Sequence, residues 1–483
     1  MNYLSIDIGT TACKCQLFSG KGEILAYQFE EYPFLEQNGA QYVNVKAIES
    51  RLFRMIRSVS VAWEISSVAI SSLGESFVLL DGEDNILFHP MLYTDPRGEA
   101  EAGEILSRFG AEKIFSVTGT VPHSMYSISK LLWIKNNEPV LFEKAEKVML
   151  MCDYFGYLLT GKRKIDSSLA ARTGAFDIEN MKFSEPLLSA LGLSPLLFSE
   201  PARAGEVVGE IRRDLIPSGA VLVLGTHDQV AAALGAGALS AGDCVDGMGT
   251  VECMTALFEK KPSRIEMGRQ GYPIVPYATE GLYCTYMLNY SCGSTVNWLR
   301  KGIMHGYKGQ EKDFFSYMEK NMPSEPTGLI ALPYFGGAAT PYADLSAKGA
   351  ILGLSTDTSD GALYRALLEG TAMEMRLNAE VCRDYGIAPR AAVATGGGAN
   401  SEAWLRIKAD IQRIPYKTLR SSEGGLCGLA MLQAVALSEA SDLFAAREIF
   451  VRYQKSFAPS KADIYGEIYE KYKKVYQTIK EIF

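Results

Sequence analysis

The chain opens on an apolar run, Tyr3–Ile8, breaks at Gly9-Thr10-Thr11, and resumes as an alternating run, Ala12–Phe18, closed by Ser19-Gly20-Lys21-Gly22. Two short runs around a glycine turn predict a β-hairpin, and Glu23–Phe29 predicts a further strand. Val45–Val59 places its apolar residues at helical intervals. Val68–Ser72 and Phe77–Leu80 read as strands around Gly74-Glu75-Ser76, and Ser127–Asn137 and Asp153–Thr160 read as helices. Val221–Leu224 predicts a short buried strand ending in Gly225-Thr226-His227-Asp228. A small-residue helix, Gln229–Ala238, follows and suits close packing. The opening pattern then returns as Cys244-Val245-Asp246-Gly247-Met248-Gly249-Thr250. Downstream, Ser291–Arg300, Gly361–Tyr385 and Ser401–Ile411 predict helices. Asp442–Phe483 reads as helical and charged, with Tyr465, Tyr469, Tyr472 and Tyr476 packing into the core beside a partly wet face. Strands alternating with helices in both halves indicate an α/β protein. Glycines between Gly237 and Gly242 interrupt the pattern and predict a division into 1–237 and 238–483.

Length and composition narrow the classes. A chain of 483 residues exceeds one ordinary core. Its 47% hydrophobic and 22% charged content is that of a soluble protein. A net charge of −8 argues against a broad nucleic-acid surface. The absence of a long apolar run argues against a membrane span. Nine scattered cysteines without a CxxC pair read as reduced thiols, and the expected location is cytoplasmic. The four histidines, His89, His123, His227 and His305, show no HxxxH or HExxH spacing, which leaves a zinc hydrolase without support.

Four places carry candidate chemistry. At Asp7–Thr11, glycine allows close backbone approach to a phosphate, while amides and hydroxyls bond its oxygens. Asp7 would repel phosphate unless a divalent cation stands between them. Its echo at Asp246–Thr250 suggests a second phosphate loop. Ala394-Thr395-Gly396-Gly397-Gly398-Ala399-Asn400-Ser401 runs from a strand through bare backbone into a helix, a geometry open to a flat ligand. Asp228, at the end of a short strand, is either a general base for an attacking hydroxyl or a helix N-cap.

The chain resembles the FGGY carbohydrate kinases from Asp7 to about Ala436, in the family's order. Met125-Tyr126-Ser127-Ile128-Ser129-Lys130-Leu131-Leu132-Trp133-Ile134-Lys135-Asn136-Asn137 matches the first signature. Pro333-Tyr334, Gly337, Thr340-Pro341, Asp344, Lys348-Gly349 and Leu363–Gly370 resemble the second. Gly396–Ala399, Ser401, Trp404 and Lys408-Ala409-Asp410 resemble the adenosine segment. The resemblance implies two ribonuclease H-like domains of the actin/hexokinase type with a cleft between them, an N-terminal sugar-binding domain (1–237) and a C-terminal nucleotide-binding domain (238–483). It implies ATP and Mg2+, with Asp7 at the metal and Asp228 as catalytic base. Gly9, Thr10, Thr11, Gly249, Thr250, Gly293, Asn297, Gly397, Gly398 and Ser401 fall to ATP. Glu75, Asp95, Arg97, Tyr126 and His227 fall to the sugar, with His123 a second-tier candidate, and Trp133, Trp298 and Trp404 read as packing residues. Tyr93-Thr94-Asp95-Pro96-Arg97 carries tyrosine where the family has tryptophan. Ala362 and Ala338-Ala339 depart from the second signature. His227 before Asp228 resembles the rhamnulose and fuculose kinases, and it either contacts sugar or caps the strand.

These readings converge on an ATP-dependent kinase for a small sugar or polyol, with a ketopentose or deoxy-ketohexose favoured. Its partners are small molecules, and homodimers are usual in similar proteins. The alternatives are a sugar-independent nucleotide switch and a phosphohydrolase on the same fold.

Overall fold

The computed structural model describes every residue except Asn38, 305–308, Gln310, Ser422 and Phe483; His305 therefore lies outside the described residues. The chain forms two compact units. One comprises Met1–Leu239, Pro273–Tyr283 and Glu423–Val451, and the other Ser240–Tyr272, Cys284–Ser422 and Arg452–Phe483.

The first unit is built on β1 (Asn2–Ile8), β2 (Ala12–Ser19), β3 (Ile24–Glu31), β4 (Ser67–Ser72), β5 (Val207–Glu210) and β6 (Val221–Val223), in the order β5-β6-β4-β1-β2-β3. β1 runs antiparallel to β2, with Asp7 opposite Lys14, and parallel to β4, with Asp7 beside Ser71. The inner strands are nearly continuous apolar runs because both faces are covered. Helix Val45–Ala62 buries Ile48, Leu52, Met55, Ile56 and Val59, one stripe at helical spacing. Each such side chain contributes about 1.5–3 kcal/mol by burial. Asn44 starts the helix, its side chain accepting from the Ala47 amide at 3.1 Å.

The small-residue helix after β6, Asp228–Gly235, packs on Gly424–Ala436 as closely as its composition suggests. A Cβ on Gly235 would stand 1.7 Å from the Gly424 carbonyl oxygen, so nothing larger than glycine fits there. Gln433, on the second of these helices, accepts from Ser67 Oγ at 2.8 Å, which fastens the helix to β4.

The second unit repeats the scheme with β7 (Asp243–Met248), β8 (Glu252–Phe258), β9 (Tyr283–Asn289), β10 (Ala391–Thr395), β11 (Tyr416–Leu419) and β12 (Tyr453–Phe457), in the order β9-β8-β7-β10-β11-β12. β7 is antiparallel to β8 and parallel to β10. Each unit therefore has a hairpin whose first strand is central and pairs with a parallel strand on its other side.

The structure corrects two expectations. The segment after Asp442 is not continuously helical. Helix Leu443–Phe450 gives way to β12, which pairs antiparallel with β11 and sets Phe457 opposite Tyr416. Tyr453-Gln454-Lys455-Ser456 is exposed along an edge, so no apolar alternation announces the strand. Helix Gly466–Ile479 then buries Tyr469, Tyr472 and Tyr476 as expected. The helix expected over Ser291–Arg300 begins at Gly293, ends at Trp298, and continues as a wider π-turn to Ile303.

Candidate active site

In the first unit, the β1–β2 turn is closed by the Gly9 amide donating to the Ala12 carbonyl at 3.0 Å. The Tyr32 hydroxyl also donates to the Gly9 carbonyl, and the Tyr32 amide to the Thr11 carbonyl at 3.0 Å. Thr10 is half-buried and Thr11 exposed. Asp7, on the last turn of β1, accepts from Ser71 Oγ at 2.8 Å and lies 3.9 Å from Lys14 Nζ. Lys14 also donates to Glu423 at 2.9 Å. Burial, then the negative charge of Asp228, raise the Asp7 carboxyl to about 6 against the pull of Lys14.

Asp228 is not the N-cap. His227 holds that position, and Asp228 is the first residue of its helix, with Oδ1 accepting from the Gln229 amide at 2.6 Å. His227 Nε2 lies 3.1 Å from the same oxygen. Burial lifts the Asp228 carboxyl to about 6, although the Gln229 amide, Arg172 and Lys14 pull it down. A carboxylate tuned upward in this way is a better proton acceptor near neutral pH than an ordinary one. His227 itself is buried, pairs with Ser72 of β4 in an isolated parallel bridge, and its amide donates to Ser168 Oγ at 3.0 Å. Burial and Arg172 hold its ring down to about 3, so it is neutral.

Glu75 sits in the turn after β4 with φ of +39°. Arg172 Nε donates to Glu75 Oε1 at 2.7 Å, and Arg172 Nη2 bonds the same oxygen. Tyr126, buried, caps helix Ser127–Asn137, and the Arg172 guanidinium lies 5.3 Å from its ring centre. Ser127 Oγ donates to the Glu75 carbonyl at 2.6 Å. Glu75, Tyr126, His227 and Asp228 are thus drawn into one neighbourhood.

Asp95 and Arg97 form a cluster of their own. Arg97 Nε donates to Asp95 Oδ1 at 2.9 Å, and Arg97 Nη1 to the Tyr42 hydroxyl at 2.8 Å. The fully buried Lys130 bonds the Asp95 carbonyl at 2.6 Å and links this cluster to the Ser127 helix. Its ammonium is depressed to about 8 by burial. An open cavity of about 770 Å3 adjoins Thr94–Arg97. His123 Nδ1 accepts from the Met125 amide at 3.0 Å, a turn-closing contact.

In the second unit, the Gly249 amide donates to the Val251 carbonyl at 3.0 Å, repeating the closure at Gly9. The Gly249 carbonyl accepts from the Gly293 amide at 2.9 Å, so the loop abuts helix Gly293–Trp298. Among the described residues, Asn297 Oδ1 and Ser294 Oγ are buried there without a hydrogen-bond partner. Gly396 touches the Met248 backbone from the other side, and Gly397 and Gly398 open the short turn that follows. Ser401 caps helix Glu402–Gln412, accepting from the Trp404 amide at 3.1 Å, and donates to Glu319 at 2.5 Å. Trp404 is buried, whereas Trp298 is exposed and lies with its ring centre 4.7 Å from that of Phe335.

Sequence reasoning missed Ser71, Lys14, Arg172 and Glu423. The hairpin register does place Lys14 opposite Asp7, a signal available once the turn is known. Arg172 stands 97 residues from Glu75, beyond any local pattern.

Residues 2–235 match the family model for the N-terminal domain of the FGGY family of carbohydrate kinases, and residues 247–437 match that for its C-terminal domain. The xylulose kinase of Bacillus subtilis (strain 168) is 25% identical over 99% of this chain and 97% of its own length. The glycerol kinase of Thermococcus gammatolerans is 28% identical over 92% of each chain. The crystal structure of a gluconate kinase from Lactobacillus acidophilus superposes with a TM-score of 0.90 at 24% identity, covering 99% of this chain and 98% of that one.

Proposed function

The chain belongs to the FGGY family of carbohydrate kinases, enzymes that phosphorylate a sugar with ATP, and on that premise we propose that Asp228 is the general base that readies a hydroxyl of a small sugar or polyol. The observation that carries this reading is the placement of Asp228, which opens its helix just after β6 with a third of its side chain exposed and His227 Nε2 at 3.1 Å from Oδ1; burial raises its carboxyl, like that of Asp7, to about 6. The acceptor hydroxyl attacks the γ-phosphorus of ATP, its proton passes to Asp228, and ADP leaves. His227, neutral, orients the Asp228 carboxylate through its contact at Oδ1. Glu75 and Tyr126 bind the acceptor's other hydroxyls, with Asp95 and Arg97 bordering the pocket. Within the first unit the turn at Gly9–Thr11 is suited to phosphate oxygens; within the second unit the turn at Gly249–Thr250 is suited likewise, and Gly293, Asn297, Gly397, Gly398 and Ser401 are the nucleotide candidates. The unpartnered Asn297 Oδ1 supports its part in this.

Asp7 fits a divalent cation. Its side chain is 17% exposed, faces a second carboxylate, and has only the distant ammonium of Lys14 against it. Asp7 would hold Mg2+ there, and the ion would supply charge neutralisation for the phosphates. A cytoplasmic location accords with nine cysteines free of disulfides. No helix among the described residues is long and apolar enough to cross a membrane.

Replacing Asp228 by Asn tests the base. The expected kcat falls about 10²–10⁴-fold in an assay coupled to ADP release, while the melting temperature stays at or above wild type. Turnover near wild type would remove Asp228 from this role.

A further inference from the structure

Helix Gly466–Ile479 carries Tyr469, Tyr472 and Tyr476 on one buried stripe, with Tyr465 one turn before it. Bulk alone would fill such a stripe, and phenylalanine has the same ring. Here each hydroxyl also meets a carboxylate. Tyr465 donates to Glu369 at 3.2 Å and Tyr469 to Glu380 at 2.8 Å. Tyr472 donates to Glu374 Oε2, and Tyr476 to Asp344 Oδ2 at 2.5 Å. Glu369, Glu374 and Glu380 all belong to helix Asp360–Arg383. A buried hydroxyl needs an acceptor, so the four bonds by themselves show only that the last helix is fastened.

The four differ in what else their acceptors hold. Glu369 is bonded by Arg365 Nε at 2.6 Å and by Thr327 Oγ1 at 3.3 Å, and Glu380 by Arg376 Nε at 3.1 Å. Glu374 Oε2 accepts as well from the Tyr334 hydroxyl at 2.9 Å, and Asp344 closes a backbone bridge with Ala338. Tyr472 and Tyr476 thus hold both ends of the segment 334–344. The Tyr476 ring also lies 4.2 Å from that of Tyr342 and 5.3 Å from that of Tyr334, centre to centre. The same segment rests against the nucleotide candidates. The Gly336 amide donates to Ser291 Oγ at 2.9 Å, and the Phe335 ring centre stands 4.7 Å from that of Trp298. Ser291 and Trp298 bracket Gly293 and Asn297 in the chain, and the Gly293 amide bonds the Gly249 carbonyl. All of these contacts lie within the second unit.

Resting on the nucleotide reading above, we infer that Tyr472 and Tyr476, with Glu374, are positioning residues for ATP: they hold the segment 334–344 against helix Gly293–Trp298 and so fix the backbone on which the nucleotide lies. They act through that segment and take no part in the proton transfer. Tyr465 and Tyr469 fasten the same helix through acceptors that do not bond this segment, so they serve its stability alone.

That division gives the test its internal control. Calorimetry on the full chain measures the Kd for ADP with Mg2+, with no sugar present. Tyr472→Phe combined with Tyr476→Phe should raise this Kd about three- to tenfold, the effect of losing one or two buried hydrogen bonds. Tyr465→Phe combined with Tyr469→Phe removes as many hydroxyls from the same stripe and should leave the Kd within about twofold. Both pairs should lower the melting temperature. In steady-state assays the first pair should raise KM for ATP and leave KM for the acceptor unchanged. Tyr334→Phe, on the segment itself, should reproduce part of the rise in Kd and keeps the inference testable if the first pair does not fold. Glu374→Gln retains an oxygen that can accept and should bind ADP more tightly than Glu374→Leu. Equal rises in the two tyrosine pairs would mean general loosening and overturn the inference, as would an unchanged Kd in both the folded Tyr472/Tyr476 pair and Tyr334→Phe. Wild-type protein that binds no ADP overturns the nucleotide reading and this inference together. ADP binding without acceptor-dependent turnover overturns the kinase reading alone.

Discussion

The hairpins at Asp7 and Asp246 share a strand, a glycine turn and a carboxylate in matching places, yet the two carboxylates meet opposite fates. Asp7 is partly exposed and is held by a hydroxyl, with its nearest cation 3.9 Å away. Asp246 is fully buried, bonded by Lys408 Nζ at 2.9 Å and by the Tyr416 hydroxyl at 3.0 Å. Lys408 also pairs with Glu252, and burial, which would lower its ammonium, is outweighed by these two carboxylates. One carboxylate is kept short of cations, which suits the metal role proposed for it. The other is neutralised by its own fold and secures the core beneath the second glycine turn. A repeated motif therefore does not imply a repeated role; what the neighbouring elements supply to the carboxylate decides it.

The comparison breaks most visibly at the lysines. Lys408→Met leaves Asp246 and Glu252 buried without their cation and should cost about 3–5 kcal/mol in urea unfolding of the second unit. Lys14→Met, at a pair with Lys14 a third exposed, should cost under about 1 kcal/mol. Equal costs would erase the distinction between the two hairpins.

Next comes Asp7 itself. Its carboxyl is raised from 3.8 to about 6 on folding. The ionised form thus costs stability above pH 6, and the cost fades as pH falls toward 4. Asp7→Asn should stabilise the metal-free protein at pH 7.5 by about 1–2 kcal/mol, while it abolishes most activity. A lower melting temperature would place Asp7 with Asp246, as a structural carboxylate. Asp246→Asn, in contrast, should destabilise.

The smallest effect is in the pH profile. With Asp228 at about 6, kcat/KM should fall about tenfold per pH unit below that point, because the base becomes protonated. A profile flat down to pH 5 would mean that no carboxyl near 6 takes part.

Much of the fold was legible because it is local. The hairpins, the Val45 helix and the Ser127 helix follow from the spacing of apolar residues, and burial enforces that spacing. The candidate site was legible where a backbone feature carries it, as at Gly9, Gly249 and Gly396–Gly398. It was not legible where a long side chain arrives from elsewhere. Ser401, which the resemblance gives to ATP, is also a helix cap bonded to Glu319. β12 was hidden because an edge strand needs no apolar alternation. Nothing in the pattern announced that Glu423–Val451 joins the first unit.

By itself the sequence determined the α/β alternation, the two glycine-turn hairpins, and Asp228 at the end of a short strand. Those features depend on periods of two and 3.6 residues and on torsions open to glycine, all fixed within a few residues. Only the tertiary structure decided which carboxylate stays available. Lys408 reaches Asp246 across 162 residues and Arg172 reaches Glu75 across 97. An ion pair depends on two side chains meeting after the chain has closed on itself, and no periodicity along the sequence records that meeting.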